Sequence, residues 1–168
     1  PMTLDNSEDT LEGFKQIFNR FQALPYTYYE LYQQPLDCSL DQGEFFDAYF
    51  QEYSRGCQQT QCIQISTNIQ TDFNLSLASG RLLCLEDYEH INGAFIPVLM
   101  GYDYSKLYKV GDTFSGNYLF SPFTFEIIGF LNEGSSVYSS TVCIDLDRCI
   151  IMPSFNFKET QARRATIT

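Results

Sequence analysis

The sequence has no tryptophan, a single histidine (His90), and only 10 lysines and arginines against 21 aspartates and glutamates, a formal net charge of -11. A field of that sign repels a phosphate backbone, and the cations are scattered apart from Arg163 and Arg164, so nucleic acid is excluded as a partner. One histidine leaves little material for a hydrolytic triad. The closest cysteine pairs, Cys57/Cys62 and Cys143/Cys149, lack the short paired spacing of a zinc site. The nucleophile elbow, the phosphate-binding loop, the dinucleotide fingerprint and the H-E-x-x-H helix are absent. No catalytic residue, cofactor or metal ligand is therefore assigned. No apolar run approaches the roughly 18 residues of a membrane span; the longest, near Ala94 to Met100 and Ile127 to Leu131, are strand-length. The basic start, apolar middle and small-residue cleavage site of a signal peptide are missing from Pro1 to Gly13, so a targeting signal is expected to lie outside this stretch.

What is present suffices for a core. The 168 residues are 44% hydrophobic, with 15 phenylalanines and 12 tyrosines, which fits one folded domain and excludes disorder. Six cysteines, Cys38, Cys57, Cys62, Cys84, Cys143 and Cys149, are many for a cytosolic domain and lean towards an oxidising compartment. Cys57 and Cys62 flank a polar linker that closes easily into a bridge. Cys143 and Cys149 would stand roughly 20 Å apart in a continuous strand, and pair only if Asp145 to Asp147 form a tight turn.

Periodicity orders the elements. Leu11, Phe14, Ile17, Phe18, Phe21 and Leu24 predict a helix from about Thr10 to Leu24, capped by Asp9 and stopped by Pro25. Tyr26 to Tyr32 reads as a strand. A second helix follows Asp41 to Glu44, with Phe46, Tyr49, Phe50 and Tyr53 on one stripe, and ends at Arg55-Gly56. Alternation from Ile63 to Leu77 predicts a half-buried antiparallel strand. Phe95 to Met100 is apolar on both faces, as in an interior strand, although Pro97 argues for an edge or a bulge. Further strands are expected at Asp112 to Tyr118, Phe123 to Leu131 and Val142 to Met152. The class is α+β with mixed or antiparallel sheets, two helices in the N-terminal half and a β-rich second half, without repeating βαβ units.

Two acidic groups invite a chemical reading. Asp145 and Asp147 would share one face of an extended strand, and Glu86, Asp87 and Glu89 surround His90, but neither group has the ordered spacing of a calcium loop or an evident cleft between carboxylates. Both read as surface charge, and His90 as solvent-facing.

From Leu77 onwards four segments follow one another in a familiar order: Ser79-Gly80-Arg81 before an acidic stretch, Ile96 to Gly101, Tyr108 to Phe114 containing Gly111-Asp112, and Phe125 to Leu131 containing Gly129. With the final Ile150 to Pro153, this stretch resembles the extracytoplasmic core domain of ABC transporter permeases of the MacB and FtsX type. The resemblance covers residues 77 to 153, and the first 76 only through the pattern of helix and strand; six cysteines are more than the family is expected to have, and the tyrosine-rich segment 26 to 53 matches no motif of it. These residues have plain structural readings: Gly111-Asp112 and Gly80-Arg81 as turns, with Arg81 paired to Glu86 or Asp87.

The resemblance implies a single extracytoplasmic domain over 1–168, with a helix and strand part at about 10–78, a β-rich part at about 79–157 and a tail at 158–168 leading towards a membrane helix. It implies a non-catalytic domain of a dimeric permease, coupling helix motion to a peptide or lipid-linked substrate or a partner protein, while a cognate ATPase hydrolyses ATP elsewhere. Thr10 and Phe157 should then lie on one side of the domain. The alternative is a free-standing secreted module that binds a ligand on Tyr28, Tyr29, Tyr32, Tyr49 and Tyr53. A hydrolase using Asp145, Asp147 or a cysteine is the remotest reading.

Overall fold

The computed structural model describes residues 31–38, 40, 59–88, 94–118, 121–139 and 142–154, with isolated positions 13, 16, 17, 20, 23 and 29. Gly13, Gln16, Ile17 and Arg20, which fall within the first expected helix, are helical. The second expected helix, His90, Cys57, Thr10 and Phe157 lie outside the described residues.

Nine strands are described: β1 (Leu31–Cys38), β2 (Gln59–Ile65), β3 (Leu77–Gly80), β4 (Ile96–Met100), β5 (Thr113–Tyr118), β6 (Ser121–Leu131), β7 (Ser136–Ser139), β8 (Val142–Asp145) and β9 (Ile150–Pro153). Seven form one mixed sheet in the order β3-β6-β4-β9-β2-β1-β5, and β5 also pairs with β6. The ring β6-β4-β9-β2-β1-β5 therefore closes on itself as a barrel, which leaves no free edge around it, and β3 is appended to β6. β4 runs parallel to β6, and β2 parallel to β9; the other ladders are antiparallel. The class is α+β and strand-rich, as expected. β1 and β2, from the N-terminal half, sit between β9 and β5 of the second half.

Closure depends on β6. Its 11 residues serve three partners in turn: Ser121 to Glu126 pair with β5, Phe125 to Phe130 with β4, and Gly129 to Leu131 with β3. Between Val98↔Ile127 and Leu99↔Gly129 the register skips Ile128, a bulge that reverses the alternation. Before it, Phe125 and Ile127 face the barrel interior; after it, Phe130 does, while Ile128 and Leu131 face outward. The interior also holds Leu36, Cys62, Val98, Met100, Phe114, Ile150 and Met152, and Phe114 stacks on Phe125 with centroids 5.1 Å apart.

A second core lies outside the barrel wall. There Ile63, Ile65, Leu99, Ile151 and Cys149 are covered by Ile69 and Leu75, by Leu83 and Tyr88, and by Val137 and Ile144 of the β7–β8 hairpin. β2 is consequently buried on both faces, not half-buried as expected. Nor does its strand reach Leu77: it ends at Ile65, and Ser66 to Asn68 turn into a one-turn helix, Ile69–Asp72, closed by Asn74 at φ 52°. Ile65, Ile69 and Phe73 stand four apart, a spacing that serves a helical turn as well as a strand.

Other boundaries move for equally local reasons. The first strand is described from Leu31, since residues 26–28 and 30 of the expected segment lie outside the described residues, and it runs through Pro35. Its ladder with β5 comprises only Asp37 and Cys38, so Pro35 needs no N–H on that side. Likewise β4 is interior, yet its ladder with β9 starts at Leu99, past Pro97. The expected strand from Val142 to Met152 is two strands in different sheets, because Asp145 accepts the N–H of Asp147 at 2.8 Å and Leu146 to Cys149 turn.

Candidate functional site

The segments singled out in the sequence meet where β3 joins β6. Gly80 pairs with Gly129 and has φ 85°; the Arg81 N–H donates to the Ile128 carbonyl, freed by the bulge, at 3.0 Å. Cβ atoms have no room there: one on Gly80 would fall on the Ile128 carbonyl oxygen, and one on Gly129 would lie 2.9 Å from the Arg81 oxygen. Of the two carboxylates expected for Arg81, Asp87 takes it, in a two-pronged pair whose second arm measures 3.0 Å. Asp87 also accepts the Cys84 backbone N–H at 2.8 Å, which closes the loop onto the 3₁₀ turn Leu85–Tyr88.

Gly111-Asp112 does for β5 what Gly80-Arg81 does for β3. Gly111 has φ 93°, Asp112 accepts the Lys109 N–H at 2.8 Å, and the pair exchange backbone hydrogen bonds with Ile127. Pro153 ends β9 opposite Ile65. These matching residues brace the barrel, and their side chains do not converge on a common point.

Of the two aspartates expected on one strand face, Asp145 ends β8 and Asp147 lies in the turn that follows. Asp147 accepts the Gly134 N–H at 2.9 and 3.1 Å, and Asp145 caps Asp147. Burial pushes the Asp147 carboxyl up, helped by the charges of Asp145, Asp103 and Glu133, against the Gly134 hydrogen bond. Asp103 is held low by its hydrogen bond from Lys106 and the pair with Arg148. Among the described residues, no three His, Cys, Asp or Glu side chains converge as a metal site.

Cys38, Cys62, Cys84, Cys143 and Cys149 are free thiols. Cys62 points into the barrel and Cys149 into the outer core; burial raises both, Cys149 to about 12, which makes them poor nucleophiles. Cys143 is exposed on β8, and Cys84 is exposed beside Glu86 and Asp87, whose carboxylates raise its thiol.

Asp87 supports a pH prediction. Its partial burial pulls the carboxyl up, but hydrogen bonds from Arg81 and from Cys84 outweigh this and leave it below the usual carboxylate value. A lowered folded-state pKa contributes stability above the unfolded value of about 3.9, and that contribution is lost as pH falls through the folded value. Asp87→Asn should therefore lose less stability than the parent between pH 5 and pH 3 in thermal melts. Parallel losses would show that the pair contributes nothing.

One surface feature was not anticipated as a unit. Tyr29 donates its hydroxyl to Asp72 at 3.0 Å and meets Phe73 edge-to-face with centroids 5.6 Å apart; Phe73 stacks on Tyr138 at 6.5 Å and 22°. The sequence groups Tyr29 with tyrosines near it along the chain, whereas its ring partner is Phe73, which in turn stacks on Tyr138. No helix of the described residues is long and apolar enough to cross a membrane.

No protein-family model matches the sequence, and no curated protein matches it. Solved structures do match the fold. The extracellular domain of the noncanonic ABC-type transporter YknZ from Gram-positive bacteria is similar with a TM-score of 0.53 and 13% identity, over 89% of this chain and 66% of that one. The periplasmic region of MacB from Actinobacillus actinomycetemcomitans is similar with a TM-score of 0.50 and 15% identity, over 88% of this chain and 56% of that one. The chain thus spans just under two thirds of the first of these structures and little more than half of the second. The fold implied by the resemblance in residues 77 to 153 is the fold found.

Proposed function

We propose that this chain is a non-catalytic extracytoplasmic domain of an ABC transporter permease, standing outside the membrane and coupling the motion of membrane helices to a substrate or a partner protein. The observation that carries the reading is the fold likeness to two transporter domains over 89% and 88% of the chain. The ordered segments from Gly80 to Gly129 support it, because they build the β3–β6 and β5–β6 junctions of that fold. A barrel without a free edge suits a rigid body that transmits movement. ATP hydrolysis belongs to a cognate ATPase, the permease acts as a dimer, and the extracytoplasmic partner is a peptide, a lipid-linked molecule or a protein.

The test is the topology of the full-length gene product. Runs of roughly 20 apolar residues should flank the chain on both sides. Protease added to intact cells should cut within this domain while a cytoplasmic control survives. Absence of flanking runs in a secreted product would replace the permease with the free-standing binding module, and protection from protease would place the domain inside the cell.

A further inference from the structure

The row formed by Tyr29, Phe73 and Tyr138 continues across the hairpin. Tyr138 pairs with Cys143, and Ser136 with Asp145, so these four residues share the outer face of β7–β8, while Val137 and Ile144 face the core. Tyr138 is 63% exposed and Tyr29 42%. Two carboxylates accompany the three rings: Asp72 accepts the Tyr29 hydroxyl, and Asp145 lies diagonally across the hairpin from Tyr138 on the same face.

The segments that carry Phe73 and Tyr138 are acidic, and Arg148, three residues after Asp145, is ion-paired with Asp103. Residues 57–80 and 110–147 contain no lysine or arginine, and they carry Asp72, Asp112, Glu126, Glu133, Asp145 and Asp147. Ring faces attract cations, and they do so more strongly beside carboxylates.

We infer that this face docks a cationic, partly apolar polypeptide segment, with lysine or arginine side chains over Tyr138 and beside Asp145 and Asp72, and apolar side chains against Phe73. The inference rests on the transporter reading, to which it adds the chemistry of the partner. Anionic lipid headgroups are disfavoured by the same charges, and a second copy of this acidic chain would bring like charges together.

The test uses the 168-residue chain and two fluorescent peptides, one of lysine and leucine and one with glutamate in place of lysine. The lysine peptide should bind with an affinity that falls with salt, and the glutamate peptide should not bind. Tyr138→Ser and Asp145→Asn should each weaken binding roughly two- to fivefold, the scale of one exposed cation–π contact. Circular dichroism checks that both variants fold, and Asp145→Asn serves alone if Tyr138→Ser does not. Bound peptide should shield Cys143 from alkylation and leave Cys84, on another loop, as the internal reference. The inference is overturned by equal binding of both peptides, by unchanged affinity in the variants, or by unaltered Cys143 labelling. It is also overturned if anionic vesicles or self-association, followed by sedimentation, shield Cys143 instead. Failure here with external topology leaves the transporter reading standing; binding here without flanking membrane runs retains the site and removes the transporter.

Discussion

Phe125→Ala is expected to lower the free energy of unfolding by about 3–5 kcal/mol, the usual cost of emptying a fully buried aromatic site. Phe125 is fully buried in the barrel interior, stacked on Phe114 and close to Phe123. It also lies on β6 where β4 and β5 pair at once, so a cavity there loosens the two ladders that close the ring. The urea midpoint should fall with little change in slope, since the surface exposed on unfolding is nearly the same. Phe95→Ala is the control: Phe95 is 53% exposed, and its loss should stay within about 0.5 kcal/mol. A loss below about 1 kcal/mol at Phe125 would mean that its ring does not fill the barrel.

Gly80→Ala should cost about 3 kcal/mol, from two sources of similar size. Holding alanine at a positive φ costs roughly 1–2 kcal/mol. The new methyl must also displace the Ile128 carbonyl, which is backbone and takes part in the bulge, and overpacking of this kind costs roughly 1–3 kcal/mol. Gly111→Ala separates the two sources, because Gly111 shares the positive φ at 93° but has open space where the methyl would go. It should cost about 1 kcal/mol. In thermal melts the gap should be several degrees, at roughly 2–4 °C per kcal/mol for a domain of this size. Equal losses at the two glycines would refute the close approach of β3 to β6.

The strands of the second half were legible because their signals are local. Gly111-Asp112 demands a turn whatever surrounds it, and the apolar alternation of Phe123, Phe125 and Ile127 follows it directly. Where expectation and structure part, the sequence carried two compatible periods or a signal with two outcomes. Ile65, Ile69 and Phe73 fit a strand or a helical turn, and the burial of Ile69 under Leu83 and Leu75 chose the latter. Asp145 and Asp147 can lie on a strand or close a turn; the carbonyls of Cys149 and Asp147, accepting from Gly101 and Asp103, hold the turn. The surface row was not legible at all, since Tyr29, Phe73 and Tyr138 belong to three separate segments.

By itself the sequence determined the class of the domain, its acidity, the turns at Gly80 and Gly111, and the order of segments that resembles transporter domains. These follow from composition and from the φ preferences of single residues, which need no distant partner. Tertiary structure decided the closure of the barrel, the burial of both faces of β2, the reversal of alternation at Ile128 and the gathering of three rings on one face. Each of these is a pairing between segments far apart in the chain. Local sequence states which side chains can pay the entropy of such a pairing, but only the assembled ladders select the partner and the register.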